Sequence, residues 1–418
     1  MGLHRRTRST ALYYGWIITL TLAVTETVSW GILHYAFSVF LTPMERELGW
    51  SRAELTGGFS LSLLVMGAMA FPVGAWIDRH GPRLLMTLGS IAASLLVVAW
   101  SRVTDLTTFY LIWAGIGVCA AAVLYEPAFA VIATWFTRKR GRALAIITFA
   151  AGLASTIFVP LSDVLLNAVG WRDATLYLGV LLAVTTILPH ALILRRRPAD
   201  LGLFPDGEPN RITSDAPPVS VSLSGALHNR FFWMLTAAFT LSFLAASAIR
   251  VHFIPFLIDS GIDASSAAVA SGAIGIMQVV GRVFFAPLEA RYSARAMVTG
   301  VFVMQAASML ILLAGPSVLI IGAFLIIFGT SFGAKTLARA AVIADLFGAS
   351  HFGRISSVNS IFLTVAATLA PVGAGLLYDA TGSYDLVLWL AVGLAAASAA
   401  VMVFSRPEAA RSTAHSVR

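Results

Sequence analysis

Charged residues are scarce in this chain of 418 residues: Asp, Glu, Lys and Arg together make up 11% of it, whereas hydrophobic residues make up 58%. A soluble domain carries about 25% charged residues. So few charges cannot cover a water-exposed surface, and the composition therefore excludes an ordinary soluble domain. Between the clusters of charge lie apolar runs that are long enough to cross a bilayer as helices, for which about 20 residues are needed.

Cysteine is nearly absent as well. The single cysteine, Cys119, lies in an apolar run, which excludes a disulfide framework, and we interpret it as a small buried hydrophobic residue. The sequence contains no Gly-rich phosphate-binding loop and no cluster of Cys and His at metal-ligand spacing. We therefore predict no cofactor, no metal and no enzymatic activity. Lysine is rare beside many arginines, which is typical of a GC-rich genome and favours a bacterial inner membrane.

Twelve apolar runs predict an all-α membrane protein with twelve transmembrane helices. The runs are rich in Ala, Leu and Gly and lack the alternating pattern of membrane barrel strands. No small-residue cleavage site follows the first run, and we expect it to be a retained span. The predicted spans are Tyr14–Leu41, Glu54–Ile77, Leu84–Trp100, Thr107–Thr134, Ala143–Asn167, Ala174–Leu194, Phe231–Ile258, Ser265–Leu288, Ala296–Leu313, Val318–Asp345, Ile355–Tyr378 and Leu386–Phe404.

The chain divides into two predicted six-helix halves, residues 1–194 and residues 231–418 with the C-terminal tail. The segment between them, residues 195–230, is rich in Arg, Pro and Gly, which is typical of a cytoplasmic linker. Its last residues before Phe231 predict a short surface helix. Residues at span ends match between the halves at an offset of 212 residues. The matched pairs include Pro43 and Pro255, Gly49 and Gly261, Arg79 and Arg291, and Gly170 and Gly382.

The positively charged residues predict the orientation of the bundle. Twenty of the 28 Lys and Arg residues fall in segments on the side of the termini, and four fall on the opposite side. Because cytoplasmic loops carry the excess of positive charge, both termini are predicted to be cytoplasmic. The same placement explains the net charge of +8 without a nucleic acid as partner. The remaining four basic residues lie inside predicted spans.

The turn after the second predicted span reads Gly74-Ala-Trp-Ile-Asp78-Arg79-His-Gly81-Pro-Arg83. This pattern resembles the signature loop of the major facilitator superfamily, and it lies in the expected turn on the expected side. The resemblance implies a fold of two six-helix halves, transport by a monomer, and a gating role for these five numbered residues.

Further segments resemble one branch of that family, which holds monocarboxylate porters and oxalate–formate exchangers. The proton-coupled porters of that branch use an arginine of the eighth helix for the substrate carboxylate, and Arg282 falls at the matching position. They often carry an aspartate one turn earlier as the proton carrier, where this chain has Gln278. The segments that carry the resemblance are Leu48–Glu54, Gly170–Arg172, Arg196–Leu203, Pro205–Gly207 and Tyr378–Tyr384.

Charges inside the predicted spans are acidic in the first half and basic in the second. A charge at the centre of a bilayer costs at least about 2.5–3.5 kcal/mol, so it usually faces a partner or a wet cavity. Either the bases attract an anionic substrate and the acids carry protons, or acids and bases pair across the cavity as a lock. The acids are Glu26, Glu126 and Asp163, and the bases are Arg250, Arg282, Lys335 and Arg339.

Substrate contact is predicted for polar residues of both halves. An arginine suits a carboxylate because its planar fork can donate two parallel hydrogen bonds. The structural alternatives are hydrogen bonds between helices for the amides and a hydrogen-bonded histidine. The predicted substrate-binding residues are Arg282, Lys335, Gln278, Tyr125, His252 and Asn359.

Proton coupling or charge pairing is predicted for Glu126, Glu26, Arg339 and Arg250. Glu126 is favoured over Glu26 as the proton carrier, because the neighbouring Pro127 removes a main-chain donor and loosens the helix there. An ion pair of Glu126 with a base of the second half is the competing interpretation.

The leading functional hypothesis is secondary transport of a small organic anion, a carboxylate, by alternating access, with proton coupling or exchange. Its partners are the anionic solute, protons and the lipid bilayer. A second hypothesis is proton-coupled efflux of lipophilic drugs, which the four intramembrane bases disfavour. A third is a membrane receptor on the same fold, which binds its ligand without moving it.

Overall fold

The computed structural model describes residues 13–207, 223–289, 291–347 and 352–405. Within these ranges the chain is helical, with no strand. It forms 11 helical stretches that are long and apolar enough to cross a membrane. One of them, Arg140–Ile193, has 54 residues, about twice the length that a bilayer requires. Gly170, at φ 79° and ψ 166°, divides it into two helices, so the described chain provides twelve spans.

The twelve spans are numbered here in chain order. The first consists of Tyr14–Trp30, a π-helical turn Gly31–Tyr35, and Ala36–Leu48, and the fourth of Leu106–Val123 and Tyr125–Trp135. The fifth span consists of Arg140–Gly152 and the part of Ala154–Ile193 that precedes Gly170, and the sixth span is the part that follows Gly170. The other spans are Arg52–His80, Pro82–Trp100, Arg230–Asp259, Ala264–Glu289, Ala294–Leu312, Val318–Phe347, Phe352–Thr381 and Asp385–Phe404.

The fourth span and the segment before the seventh agree with the sequence prediction, whereas the first span is longer than predicted. The fourth span breaks at Leu124, at φ −91° and ψ −160°, which confirms the loosening expected beside Pro127. A short helix, Leu223–His228, precedes the seventh span. The first span continues to Leu48, beyond its predicted end at Leu41, because Pro43 is accommodated inside the helix. Part of the predicted linker, both terminal segments and the side chain of Asp78 lie outside the described residues.

Glycines matched between the halves share a positive φ. Gly49 and Gly261 have φ of 70° and 88°, and Gly170 and Gly382 have φ of 79° and 68°. Positive φ is costly for residues that have a Cβ atom. The turns that follow the first and seventh spans, and those that precede the sixth and twelfth, are therefore built alike.

Contacts between span termini define two ends of the bundle. At one end, Arg172 of the sixth span donates to Glu47, which ends the first span, at 2.7 Å. At the other end, Arg83 of the third span donates to the Ala191 carbonyl, near the end of the sixth, at 2.5 Å. The first span begins and the twelfth ends at this second end, which we call the termini end. We call the opposite end the closed end.

Apolar packing joins the two halves toward the closed end. The largest cluster of buried apolar residues contains members of both halves, such as Leu41 and Trp100 with Leu257 and Leu312. At the termini end, one cluster belongs to the first half and another to the second half. Among the described residues the halves thus meet at the closed end and separate toward the termini end.

Candidate functional site

Arg250, on the seventh span, lies where the two halves face each other. Its guanidinium carbon is 4.5 Å from the centre of the Phe332 ring in the second half and 5.1 Å from the centre of the Tyr35 ring in the first half. A cation at these distances is attracted to the face of an aromatic ring. The side chain is half-buried, and no acceptor in the described part of the chain is hydrogen-bonded to it. Its N–H donors are therefore open to a bound acceptor.

Lys335, on the tenth span, shares the Phe332 ring with that arginine. Its ammonium nitrogen is 4.7 Å from the centre of this ring and 4.4 Å from the centre of the Phe243 ring. It donates to Ser242 Oγ at 3.1 Å and to Gln305 Oε1 at 3.0 Å. The residue is 1% exposed, and none of the described carboxylates pairs with it. A buried cation without a counter-charge is costly, so a bound anion would stabilise this arrangement.

Arg282, on the eighth span, reaches across to the first half. Its Nη1 donates a short hydrogen bond to the main-chain carbonyl of Thr148 on the fifth span. The same nitrogen lies 2.9 Å from where a Cβ atom on Gly152 would be, so a larger residue there would displace the end of the Arg282 side chain. The remaining N–H donors of this half-buried arginine are not hydrogen-bonded to the described residues. Arg282 therefore bridges the halves and still has donors for an anion.

Glu26, in the first span, is fully buried. Neither carboxyl oxygen has a hydrogen-bond partner among the described residues. The indole N–H of Trp30, one turn along the helix, is near enough to interact with the carboxyl group, but it does not reach hydrogen-bonding geometry and is itself without a partner. The cation that charge pairing would require is not bonded to Glu26.

Glu126 has a different environment. It lies in the first turn of the helix Tyr125–Trp135 and is exposed, at the wall of the space between the halves. Arg339 of the tenth span lies within electrostatic reach of it and donates to Ser360 Oγ at 3.2 Å. This arrangement resembles the predicted acid–base pair across the cavity more than a desolvated proton site.

Tyr125 lies between the acid of the first half and the bases of the second. Its ring centre is 5.1 Å from that of Trp30. Its hydroxyl lies within electrostatic reach of Glu26, Arg282 and Arg250. Tyr125 therefore connects the buried carboxyl group with the cationic side of the site.

The two predicted amides are both buried in the second half. Asn359 is buried and donates from Nδ2 to Thr236 Oγ1 at 3.2 Å, which leaves its Oδ1 without a partner. Gln278 is buried, and its Nε2 has no partner in the described part of the protein. Both amides thus retain one polar atom that a substrate could satisfy.

His252, predicted as a substrate ligand, lies toward the closed end. Its Nδ1 is 2.8 Å from the Tyr384 hydroxyl, and its Nε2 is 2.9 Å from the Pro371 carbonyl oxygen. The structure therefore gives both ring nitrogens a partner inside the second half. It brings Arg250, Lys335, Arg282 and Tyr125 together at the centre without this histidine.

Sequence reasoning missed a polar group at the closed end that joins the halves. Arg52, at the start of the second span, is 3% exposed and donates to both carboxylate oxygens of Asp259 at 2.7 and 3.0 Å. It also donates to Glu45 and to the Tyr384 hydroxyl, and its guanidinium carbon is 4.0 Å from the centre of the Tyr378 ring. The sequence does place an arginine and an aspartate at the same end of different halves. That these two residues pair is visible only in the tertiary structure.

The signature loop contacts its own half. Gly81 has φ 81° and ends the second-span helix, and a Cβ atom there would meet the Arg196 side chain at 2.7 Å. Arg79 is exposed, and Gly74 has no neighbour within 4 Å of its Cβ position. At the separated termini end, Gly74, Arg79 and Gly81 make no contact with the second half among the described residues, and Arg83 of the third span contacts the sixth span of its own half. Their predicted gating role stays a prediction.

The fold and the site together define a polytopic membrane transporter: a bundle of apolar spans in two parts, closed at one end, whose central Arg250, Arg282 and Lys335 pair with none of the described carboxylates. Residues 19–334 and 253–418 match the family model described as Major Facilitator Superfamily. The chain belongs to that family and is a transporter, not an enzyme. No three His, Cys, Asp or Glu side chains within the described ranges converge to hold a metal ion.

Relatives and solved structures are similar over almost the whole chain. The MFS-type transporter YcxA of Bacillus subtilis, itself uncharacterized, is 24% identical over 91% of this chain and 93% of its own. Monocarboxylate transporter 13 of Rattus norvegicus is 25% identical over 93% and 88%, and the probable L-galactonate transporter of Escherichia coli is 26% identical over 88% and 84%. A bacterial homolog of the human lysosomal transporter Spinster, in an inward-facing and occupied conformation, superimposes with a TM-score of 0.69 at 15% identity and covers 94% of this chain and 95% of its own.

Proposed function

We propose that this protein moves a small organic anion, a carboxylate, across the plasma membrane by alternating access, driven by proton coupling or by exchange. The observation that carries the proposal is the Arg250 guanidinium. It lies between a ring of each half and has no acceptor among the described residues. A planar fork of N–H donors matches the two oxygens of a carboxylate.

The other cations strengthen the attraction for an anion. Lys335 contacts the same Phe332 ring and supplies a second positive charge when an anion is bound beside it, and Arg282 adds a positive charge from the eighth span. Tyr125, Gln278 and Asn359 remain as proposed polar contacts for the rest of the substrate. The names of two relatives point the same way, since monocarboxylates and galactonate are both carboxylates.

The proposed orientation places both termini in the cytoplasm of a bacterial inner membrane, because the basic residues concentrate at the termini end. The closed end then faces outward, and the described conformation opens toward the cytoplasm. In the opposite conformation the Arg52–Asp259 pair separates and the termini end closes, so that the same central site faces outward.

The experiment is a thermal-stability screen of the purified protein. The probes are lactate, pyruvate, galactonate and oxalate, with tetraphenylphosphonium and ethidium as lipophilic cations. A ligand that binds the folded state raises its apparent melting temperature by mass action. We expect stabilisation by at least one carboxylate. The Arg250→Ala variant should bind it about 10- to 150-fold more weakly, since a hydrogen bond to a charged group contributes about 1.5–3 kcal/mol.

The matched control is Arg172→Ala, which removes an arginine that is paired with Glu47 at the closed end, far from the centre. It should bind the carboxylate like the wild type. If only the lipophilic cations stabilise the protein, and they do so equally in Arg250→Ala, the proposal is wrong and drug efflux is favoured. Binding of a carboxylate without counterflow in liposomes would instead indicate a receptor.

A further inference from the structure

The acidic residues of the first half differ in their surroundings, and Glu26 is buried without a described hydrogen bond or ion pair that would stabilise its charge. Glu26 is 0% exposed, and neither carboxyl oxygen is hydrogen-bonded to the described residues. A buried carboxylate without a hydrogen-bond donor or a cation is strongly disfavoured. A neutral carboxylic acid in the same position is far less costly, because it carries no net charge.

The surroundings of Glu26 offer no alternative way to neutralise its charge. The fifth span packs along the first, and residues 143–162 of that span contain no acidic or basic side chain. The Tyr125 hydroxyl of the fourth span lies within electrostatic reach of Glu26, and the same hydroxyl is within reach of Arg282 of the eighth span and Arg250 of the seventh. On the same helix, His34 lies two turns further, with its ring against Trp30 and Tyr35.

We infer that Glu26 is the proton-binding site of the transport cycle, and that its protonation controls anion binding at Arg250 and Arg282 through Tyr125. This inference rests on the proposed function. It departs from the position that the family resemblance implies, where the eighth span of this chain carries Gln278. It also reverses the preference for Glu126, which the structure leaves exposed.

The coupling follows from charge balance. When Glu26 is ionised, its negative charge repels an incoming carboxylate and partly offsets the attraction of Arg282 and Arg250 for it. One proton on Glu26 removes this repulsion, so the anion binds more tightly to the protonated protein. By reciprocity, the bound anion strengthens proton binding by the same factor. One proton and one monoanion then cross together, and both leave on the other side, so the transported charge is zero.

Three variants in liposomes and in detergent test the inference: Glu26→Gln, Glu126→Gln and Asp163→Asn. The probe is whichever of lactate, pyruvate, galactonate and oxalate gives the fastest counterflow in the wild type. Asp163→Asn is the matched control, because Asp163 is a buried acid of the first half whose neighbours lie toward the closed end.

The binding measurement compares affinity at several pH values. In the wild type and in Asp163→Asn, the dissociation constant should rise by up to tenfold for each unit of pH as Glu26 ionises, which is the limit for one coupled proton. In Glu26→Gln it should be tight and independent of pH, because the amide imitates the neutral acid.

The liposome measurement separates exchange from coupling. Glu26→Gln should retain counterflow, which moves no net proton, and lose accumulation of the probe driven by a pH gradient. The inference is wrong if this variant still accumulates the probe, or if it binds normally but shows no counterflow. It is also wrong if pH dependence disappears in Glu126→Gln instead. Absence of counterflow in the wild type for all four probes would refute the proposed function itself, which distinguishes the two failures.

Discussion

At the scale of single residues, the central charged side chains differ in their solvent exposure and in their hydrogen-bond partners. Lys335 and Arg339 are four residues apart on the tenth span, so they share a face of the helix. Lys335 is buried on two aromatic rings, whereas Arg339 is half-buried and bonded to Ser360. Spacing along a helix predicted the shared face, but which of the two side chains is buried depends on the neighbouring spans.

Asp206 shows the same dependence at the start of the linker. It has φ 59°, and its carboxylate accepts hydrogen bonds from the main-chain N–H groups of Thr137, Arg138 and Lys139 at 2.8–3.0 Å. Burial raises its pKa, but these N–H donors outweigh burial and hold the pKa below its ordinary value. The carboxylate thereby ties the linker to the loop after the fourth span.

We expect Asp206→Asn to lower the stability of the protein by about 1–3 kcal/mol, because it removes charge-assisted hydrogen bonds while asparagine tolerates positive φ. The measurement is the apparent melting temperature between pH 7 and pH 3.5. A lowered pKa means that the stabilisation is complete above the unfolded value of about 4 and disappears as pH falls below it. The difference from wild type should therefore be constant from pH 7 to 5 and shrink below about pH 4.

Asp206→Ala is the companion variant. It should cost more than Asp206→Asn, because alanine adds strain at φ 59° to the loss of the acceptor. Equal stability of wild type and both variants would show that the linker is not held by this carboxylate.

At the scale of elements, small residues decide how closely spans of opposite halves approach. The second span packs along the eleventh, and the fifth along the eighth. A Cβ atom on Gly375 of the eleventh span would lie 2.8 Å from Thr56 Oγ1 and 3.0 Å from the Ala53 main chain. Gly373, two residues earlier on the same helix, has no neighbour within 4 Å. These two glycines form a matched pair.

Gly375→Val should force the second and eleventh spans apart at the closed end and favour opening there. Overpacking of this kind costs about 1–3 kcal/mol, or about 5- to 150-fold in the conformational equilibrium. The reporter is a cysteine at Ser60, which is 4% exposed in the second span, in a protein whose only native cysteine is replaced by Cys119→Ala. Its labelling by a membrane-impermeant maleimide should accelerate.

Gly373→Val in the same background should label Ser60→Cys at the unmodified rate, since the added side chain meets open space. If both glycine variants label equally fast, or neither does, close packing of these spans does not control the closed end.

At the scale of the whole molecule, closure of the closed end depends on a polar group that links the ends of four spans and one loop. Arg52 joins the second span to Asp259 of the seventh and to Tyr384, which precedes the twelfth. His252 and Pro371 extend the network within the second half. The main-chain N–H of Ala53 also donates to Asp379 at 3.1 Å. At the termini end the described residues form separate apolar clusters, so the closed end holds the halves together.

Arg52→Ala should therefore shift the protein toward a conformation that is open at the closed end. Removing one partner of a buried pair costs 3–5 kcal/mol, and we expect about 1–3 kcal/mol because the Asp259 side chain is 31% exposed. Spin labels at exposed positions Thr104 and Ser317, one in each half, report the separation by double electron–electron resonance. A longer-distance population should appear.

The control for this measurement is Arg172→Ala, which breaks an ion pair at the same end within one half. Its distance distribution should match that of the wild type. A distribution that changes in Arg172→Ala and not in Arg52→Ala would mean that closure does not depend on the link between halves.

The sequence by itself determined the number and positions of the spans, the family and the inventory of intramembrane charges. These are local properties, since an apolar run of about 20 residues has no other way to satisfy its main chain than as a helix in the bilayer. The break beside Pro127 is local too, because proline removes a main-chain donor from its own helix.

Only the tertiary structure decided which of these charged side chains are buried, which are paired, and where the two halves are in contact. Arg52 and Asp259 are 207 residues apart, and the Arg282 contact with Thr148 spans 134 residues. Hydrogen bonding and burial at such separations depend on which faces of the helices pack together, and periodicity along one helix carries no information about its neighbour. The sequence favoured Glu126 over Glu26 because Pro127 follows it, but the packing of the first span against the fourth and fifth buries Glu26 and leaves Glu126 exposed.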